Sequence, residues 1–177
     1  MSDPSDSDRL EAIFREHYEA VLAYARRRAP AQVADDVAAE TFAIAWRKAK
    51  QIPGEPLPWL LGVARRVLST HRRSTQRRTR LRERLSQTVV PVAPDVADPR
   101  LGEALSGLSD RDQEALLLIA WEGLAPREAA TVLGLTQTGF SVRLHRARRR
   151  LRAALEQSDA RSALAPGRPP VSKGEAR

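Results

Sequence analysis

The chain contains no cysteine, which excludes disulfide bridges, iron–sulfur clusters, a zinc ribbon and a thiol nucleophile. Histidine is scarce: His17, His71 and His145 are the only three, and they lie too far apart to read as a metal-ligand motif. Aromatic residues make up 5% of the chain. No apolar run approaches the ~18 residues that cross a bilayer. The acidic, polar start Met1-Ser-Asp-Pro-Ser-Asp-Ser-Asp8 lacks the basic and then apolar pattern of a signal peptide. These absences lead us to expect a soluble, cytoplasmic protein with no stable membrane insertion, no metal and no cofactor.

Lysine is also rare, with only Lys48, Lys50 and Lys173, so the net charge of +8 is carried almost entirely by arginine. Arginine suits bidentate contacts to phosphate and guanine, and where it sits matters more than its total. Residues 1–45 hold nine acids and five arginines, whereas residues 61–84 hold nine arginines and one acid, Glu83. A second basic block over residues 129–155 has six arginines and no acid. Two cationic modules are indicated. Between them, residues 86–99 carry three prolines and no helical period, which reads as a linker. A length of 177 residues allows one ordinary domain or two very small ones, and the charge pattern with its linker divides the chain in two, at 9–85 and 100–157. Residues 1–8 and 158–177 are expected to be disordered.

The periodicity is helical throughout. Leu10, Ile13, Phe14, His17, Tyr18, Val21, Leu22 and Ala25 follow the i, i+3, i+4, i+7 template to Pro30. A second helix is expected from about Gln32 to Lys50, with Val37, Phe42, Ile44, Ala45 and Trp46 in a core. After Pro53-Gly-Glu-Pro56, a third buries Leu60, Val63, Ala64, Val67 and Leu68. Its opposite face carries Gly62, Arg65, Arg66, Ser69, Arg72, Arg73 and Gln76. Beyond the linker, Leu101, Ala104, Leu105 and Leu108 predict a short helix. Ser109-Asp-Arg-Asp112 resembles a capping box opening another, which runs to Glu122. Pro126 then starts a helix to Leu133, Gly134 supplies a left-handed stop, and Thr136 caps a long final helix to about Gln157. The fold class is all-α.

The unit from Ala125 to Arg150 has the parts of a DNA-reading helix-turn-helix: small Ala129 and Ala130 at a close crossing, Gly134 in the turn, and a basic second helix. In that helix Phe140, Leu144, Ala147, Leu151 and Leu155 face inward, and Thr138, Ser141, Val142, His145, Arg149 and Arg152 outward, with Arg146 at the border. A plain helical hairpin with a solvated arginine face is the alternative. Arginines one turn apart, such as Arg146 and Arg150, repel unless an anion neutralises them, and phosphate is the obvious anion. Asp36 and Glu40 share one helix face, but no nucleophile, phosphate-cradling loop or metal motif accompanies them. They read as an exposed docking face, with no catalytic residues, and no enzyme is expected.

Taken in order, Val33-Ala-Asp-Asp-Val-Ala-Ala-Glu-Thr-Phe-Ala-Ile-Ala-Trp46, Pro58-Trp-Leu-Leu-Gly-Val-Ala-Arg-Arg-Val-Leu68 and the stretch from Leu108 to Leu155 resemble bacterial sigma factors of the extracytoplasmic-function group, over residues 9–156. The resemblance implies a region 2 that binds core RNA polymerase and melts the minus-ten element, and a region 4 helix-turn-helix that reads the minus-thirty-five element. By position it assigns polymerase contacts to Asp36, Glu40, Thr41 and Arg47, with Phe42 and Trp46 in the core. It assigns minus-ten DNA to Trp59, Arg65, Arg66, Ser69, Thr70, Arg72 and Arg73. Minus-thirty-five DNA falls to Thr138, Ser141, Val142, His145, Arg146 and Arg149, with Arg143 and Arg150 on phosphates or in packing.

The chain departs from the family at Ala39, where glutamine is usual, and at Arg66 and Thr70, where the family has asparagine and then aspartate. It departs again at Gly139-Phe-Ser-Val142, where Thr-Val-Lys-Ser is common. The implied partners are core RNA polymerase, promoter DNA and an anti-sigma factor, with the free protein a monomer. The competing reading is a stand-alone homodimeric helix-turn-helix regulator, which requires palindromic half-sites.

Overall fold

A computed structural model describes residues 4–82 and 98–164, with side chains over 7–75 and 98–160. The expected linker, apart from its last two residues, and the tail from residue 165 lie outside the described residues. Among the described residues seven α-helices run in chain order: α1 (Pro4–Arg26), α2 (Ala31–Arg47), α3 (Pro56–Arg82), α4 (Pro99–Ser106), α5 (Asp110–Ala120), α6 (Pro126–Leu133) and α7 (Gln137–Leu164). A short 3-10 turn over Ala49–Gln51 follows α2. No strand occurs among the described residues.

Helices α1, α2 and α3 form one bundle around Val21, Ala34, Val37, Leu60, Ala64 and Val67, all buried. Every apolar position expected inside α3 is buried. Helices α4 to α7 form a second bundle around Leu105, Ala115, Leu118, Ala130, Phe140 and Ala147. Its corners follow the capping logic of the sequence. The Ser109 hydroxyl accepts from the Asp112 N–H at 3.3 Å. Gly134 sits at φ 65° as the left-handed stop of α6, and Thr136 Oγ1 accepts from the Gly139 N–H at 3.1 Å to start α7. The Ser109 box is only half a box, because Asp112 is buried and its carboxylate pairs with Arg150 of α7.

Two ends are longer than expected. The helix α1 begins at Pro4, inside the stretch expected to be disordered. Arg9 anchors it to the turn before α3, donating to the Ile52 carbonyl at 2.8 Å and the Pro53 carbonyl at 3.1 Å. The helix α7 continues past Gln157 to Leu164, and Asp159 on this extension pairs at 3.3 Å with Arg100 at the start of α4. Asp159 gives the α7 extension a tertiary partner distant in sequence, which no local signal encodes.

The two bundles also share a packed interface, in which α3 lies against α6. The contact falls at Gly62: a Cβ built there would touch α6 at ordinary van der Waals distance, 3.6 Å from the Val132 carbonyl oxygen and 3.7 Å from its Cα. A glycine inside a helix marks such a close backbone approach.

Candidate functional site

Three surfaces carry the residues singled out in the sequence. On α2, Asp36, Glu40 and Arg47 are exposed, as a docking face requires. Glu40 lies 3.4 Å from His71 Nε2 of α3. Thr41 does not belong with them. It is fully buried, and its hydroxyl donates to the Val37 carbonyl at 2.7 Å within its own helix, so it serves the bundle and presents nothing to a partner.

Aromatic residues expected in the core contribute instead to the surface of this bundle. Trp46 is 53% exposed and Phe14 47% exposed. Phe14 packs on Tyr18 and Phe42, with ring centroids 4.9 Å apart in both pairs. The available signal was the aromatic pair at i, i+4 on each helix, Phe14 with Tyr18 and Phe42 with Trp46, a spacing that stacks two rings along one face.

On α3, Trp59 is half-buried against the core at the helix start. Arg66 and Thr70 are exposed and bonded back to their own helix, Arg66 Nε donating to the Gly62 carbonyl at 3.0 Å and Thr70 Oγ1 to the Arg66 carbonyl at 3.1 Å. Arg72 and Arg73 are exposed, and Arg72 reaches the Arg28 carbonyl at 3.1 Å. The face expected to be open is not wholly so, since Gly62 is buried and Arg65 and Ser69 are half-buried. At Gly62 the second bundle explains this, because α6 packs against α3 there.

On α7, Thr138, Ser141, Val142, His145, Arg146 and Arg149 are all exposed, and Val142 is 45% exposed. Arg143 is half-buried. Arg150 is exposed yet bonded to buried Asp112, so a protein carboxylate meets part of the charge repulsion along this helix. The recognition face is thus an exposed strip of about three helical turns below the cap, with no other element among the described residues laid over it.

A fourth cluster escaped the sequence reading. At the C-terminal end of α1, Arg28 Nε donates to Glu114 at 3.0 Å and its Nη1 to Glu122 at 2.8 Å. Arg27 pairs with the same Glu122, and the Tyr24 hydroxyl donates to Glu114 at 2.7 Å. The Arg28 guanidinium stacks on the Tyr24 ring, 3.7 Å from its centroid. Arg28 and Glu122 are almost completely buried. Burial, reinforced by the Glu114 carboxylate, pushes the Tyr24 phenol well above its ordinary value. Burial alone would lower Arg28, but the Tyr24 phenol, Glu114 and Glu122 together leave it raised. Gly123, at φ 65°, makes the turn that follows Glu122.

The comparisons accord with this two-bundle arrangement. Residues 13–78 match the family model described as Sigma-70 region 2, and residues 99–151 match Sigma-70, region 4. The ECF RNA polymerase sigma factor SigL of Mycobacterium tuberculosis is 30% identical over 84% of this chain and 89% of its own length. The probable RNA polymerase sigma factor RfaY of Xanthomonas campestris is 31% identical over 70% of this chain, which spans only 34% of that longer protein. Among solved structures, the sigma factor RpoE of Bartonella quintana, in complex with the anti-sigma factor NepR, shares the fold. Its TM-score is 0.64 at 23% identity, over 82% of this chain and 96% of that one.

Proposed function

The chain belongs to the extracytoplasmic-function group of the sigma-70 family, and from that premise we propose that Asp36, Glu40 and Arg47 dock it on core RNA polymerase. The same chain then supplies both promoter contacts. The observation that carries this reading is the pairing of an exposed acidic face on α2 with two separate arginine-rich helices, α3 and α7, in one chain.

Each surface has a physical task. Carboxylates on a rigid helix give a charge-complementary dock that fixes orientation. Arg65, Arg66, Arg72 and Arg73 on α3 neutralise phosphates of the melted strand. Trp59 and the neighbouring Ser69 and Thr70 offset the few kcal/mol that unstacking a base costs, through stacking and hydrogen bonding. On α7, Ser141, Val142, His145 and Arg146 face base edges in the major groove, while Thr138 and Arg149 hold the backbone. No step transfers a bond within this chain, so it acts as a specificity subunit and not as an enzyme. An anti-sigma factor is the regulatory partner, by analogy with the RpoE complex, and the place of action is the cytoplasm.

The homodimeric regulator has no use for the first bundle, and the family membership disfavours it. Co-elution with bacterial core RNA polymerase on a sizing column tests the docking face. Wild type is expected to co-elute, and the double substitution Asp36→Arg, Glu40→Arg to elute alone. Equal retention of both would remove the docking assignment.

A further inference from the structure

The cluster at the end of α1 joins the two bundles through charges that are out of water, and it holds α6 over part of α3. We propose that Tyr24, Arg27 and Arg28 with Glu114 and Glu122 form an intramolecular latch, which keeps the free chain closed and the α3 strand-binding face partly covered until it opens. The role given to the covered face rests on the reading of α3 above; the latch itself does not.

The covering is steric. With the Val132 backbone 3.6 Å from where a Gly62 Cβ would sit, no nucleotide fits between α3 and α6. Arg65 and Ser69, one and two turns further along the same face, are half-buried. The α7 recognition strip stays open along its length in this state, whereas of the α3 residues assigned to DNA only Arg66, Thr70, Arg72 and Arg73 are exposed.

The charged part of the joint adds little that would make it permanent. A buried ion pair gains its Coulomb energy only against the cost of desolvating both partners, so a complete network is close to neutral while a broken one is costly. Arg28 and Glu122 have side chains 6% and 5% exposed. Arg28 Nη2 is buried without a hydrogen-bond partner among the described residues, which weakens the closed form further. Opening rehydrates every one of these groups together. The other pair across the interface, Arg127 with Glu55 at 3.4 Å, is solvated on both sides and adds little. A partner that binds only the open form shifts the population by its differential affinity, which has to offset the apolar core shared by the two bundles.

The chain lacks cysteine, so Glu19→Cys and Gln157→Cys, both at exposed positions, introduce the only thiols for a spin-label pair in the full chain. Pulsed electron resonance should give one short, narrow distance distribution for the otherwise wild-type protein. Two variants attack independent contacts. Arg28→Glu sets a third carboxylate beside Glu114 and Glu122, and Gly62→Gln drives a side chain into α6 while favouring helix α3 itself. Both should lengthen and broaden the distribution.

Both should also tighten binding of a fluorescein-labelled mixed-sequence single-stranded DNA about tenfold, since apparent affinity scales with the open fraction. Arg28→Glu lowers the positive charge, so a tighter complex there cannot come from added electrostatics. A broad wild-type distribution, or a short distance retained in both variants, overturns the latch. Opening without any gain in single-strand affinity overturns the occlusion, and leaves the polymerase docking assignment to its own co-elution test.

Discussion

On α3, Gly62 is covered and Arg65 and Ser69 are half-buried, whereas on α7 the six outward residues from Thr138 to Arg149 all face solvent. Both helices are arginine-rich and both lie in regions where acids are scarce, so composition alone treats them as equals. What separates them is packing. The first has a second bundle laid across it by contacts nearly a hundred residues apart in sequence, such as Arg27 with Glu122. The second faces away from that interface. Cationic character shows that a helix seeks an anion; tertiary contacts decide whether that anion can reach it.

The sharpest way to break the contrast is at the latch. Arg28→Ala leaves Glu114 with the Tyr24 hydroxyl and Glu122 with Arg27, so the cost approaches but stays below the roughly 3–5 kcal/mol of a fully broken buried pair. We expect a lower urea midpoint for the interface, with far-ultraviolet helix content unchanged before the transition. Alkaline pH should act on the same cluster. Tyr24 has its pKa raised above the ordinary 10.0 by burial and then by Glu114. A neutral phenol is favoured when closed, so this contribution is complete below pH 10 and is lost as pH rises through the raised value. Near-ultraviolet phenolate absorbance should show the Tyr24 fraction appearing together with bundle separation. Phenolate formed while the bundles stay closed would contradict this.

On the open helix, Arg146→Ala should weaken holoenzyme binding to a cognate promoter by about 1–3 kcal/mol and relax specificity at one position. Unchanged affinity and salt slope would remove Arg146 from the interface. Arg150→Ala sharpens the comparison, because this arginine serves Asp112. The partner carboxylate is buried but Arg150 itself is 59% exposed, so the expected stability loss in a urea melt is about 1 kcal/mol. The smallest effect belongs to Gly139→Ala. Helix propensity alone favours alanine by about 1 kcal/mol, but the new Cβ would lie 3.1 Å from Thr136 Oγ1, crowding the cap. The measured gain in melting free energy should fall short of the propensity value.

Much of this was legible in the sequence, for local reasons. The helices follow apolar periodicity, and Pro126, Gly134 and Thr136 announce the corners of the helix-turn-helix because capping and left-handed backbone are properties of a few neighbouring residues. Thr41 misled because a hydroxyl on a polar-looking position can bond its own helix. Phe14 and Trp46 misled because periodicity places a residue on a face without saying whether anything covers that face. The latch was illegible for a stronger reason. Glu114, Glu122, Arg27 and Arg28 resemble ordinary surface charges until the topology brings them together, and the only local hint was a glycine, Gly62, in the middle of a helix.

As a sigma factor, one chain gives polymerase a new pair of promoter contacts. The decisive measurement is transcription in vitro, with core RNA polymerase on fragmented genomic DNA from the source organism and start sites mapped with and without this protein. The account predicts a distinct set of starts that appears only with the protein, shares two upstream elements and is lost with the Asp36→Arg, Glu40→Arg chain. No new starts, together with a palindromic footprint made by the protein alone, would contradict it.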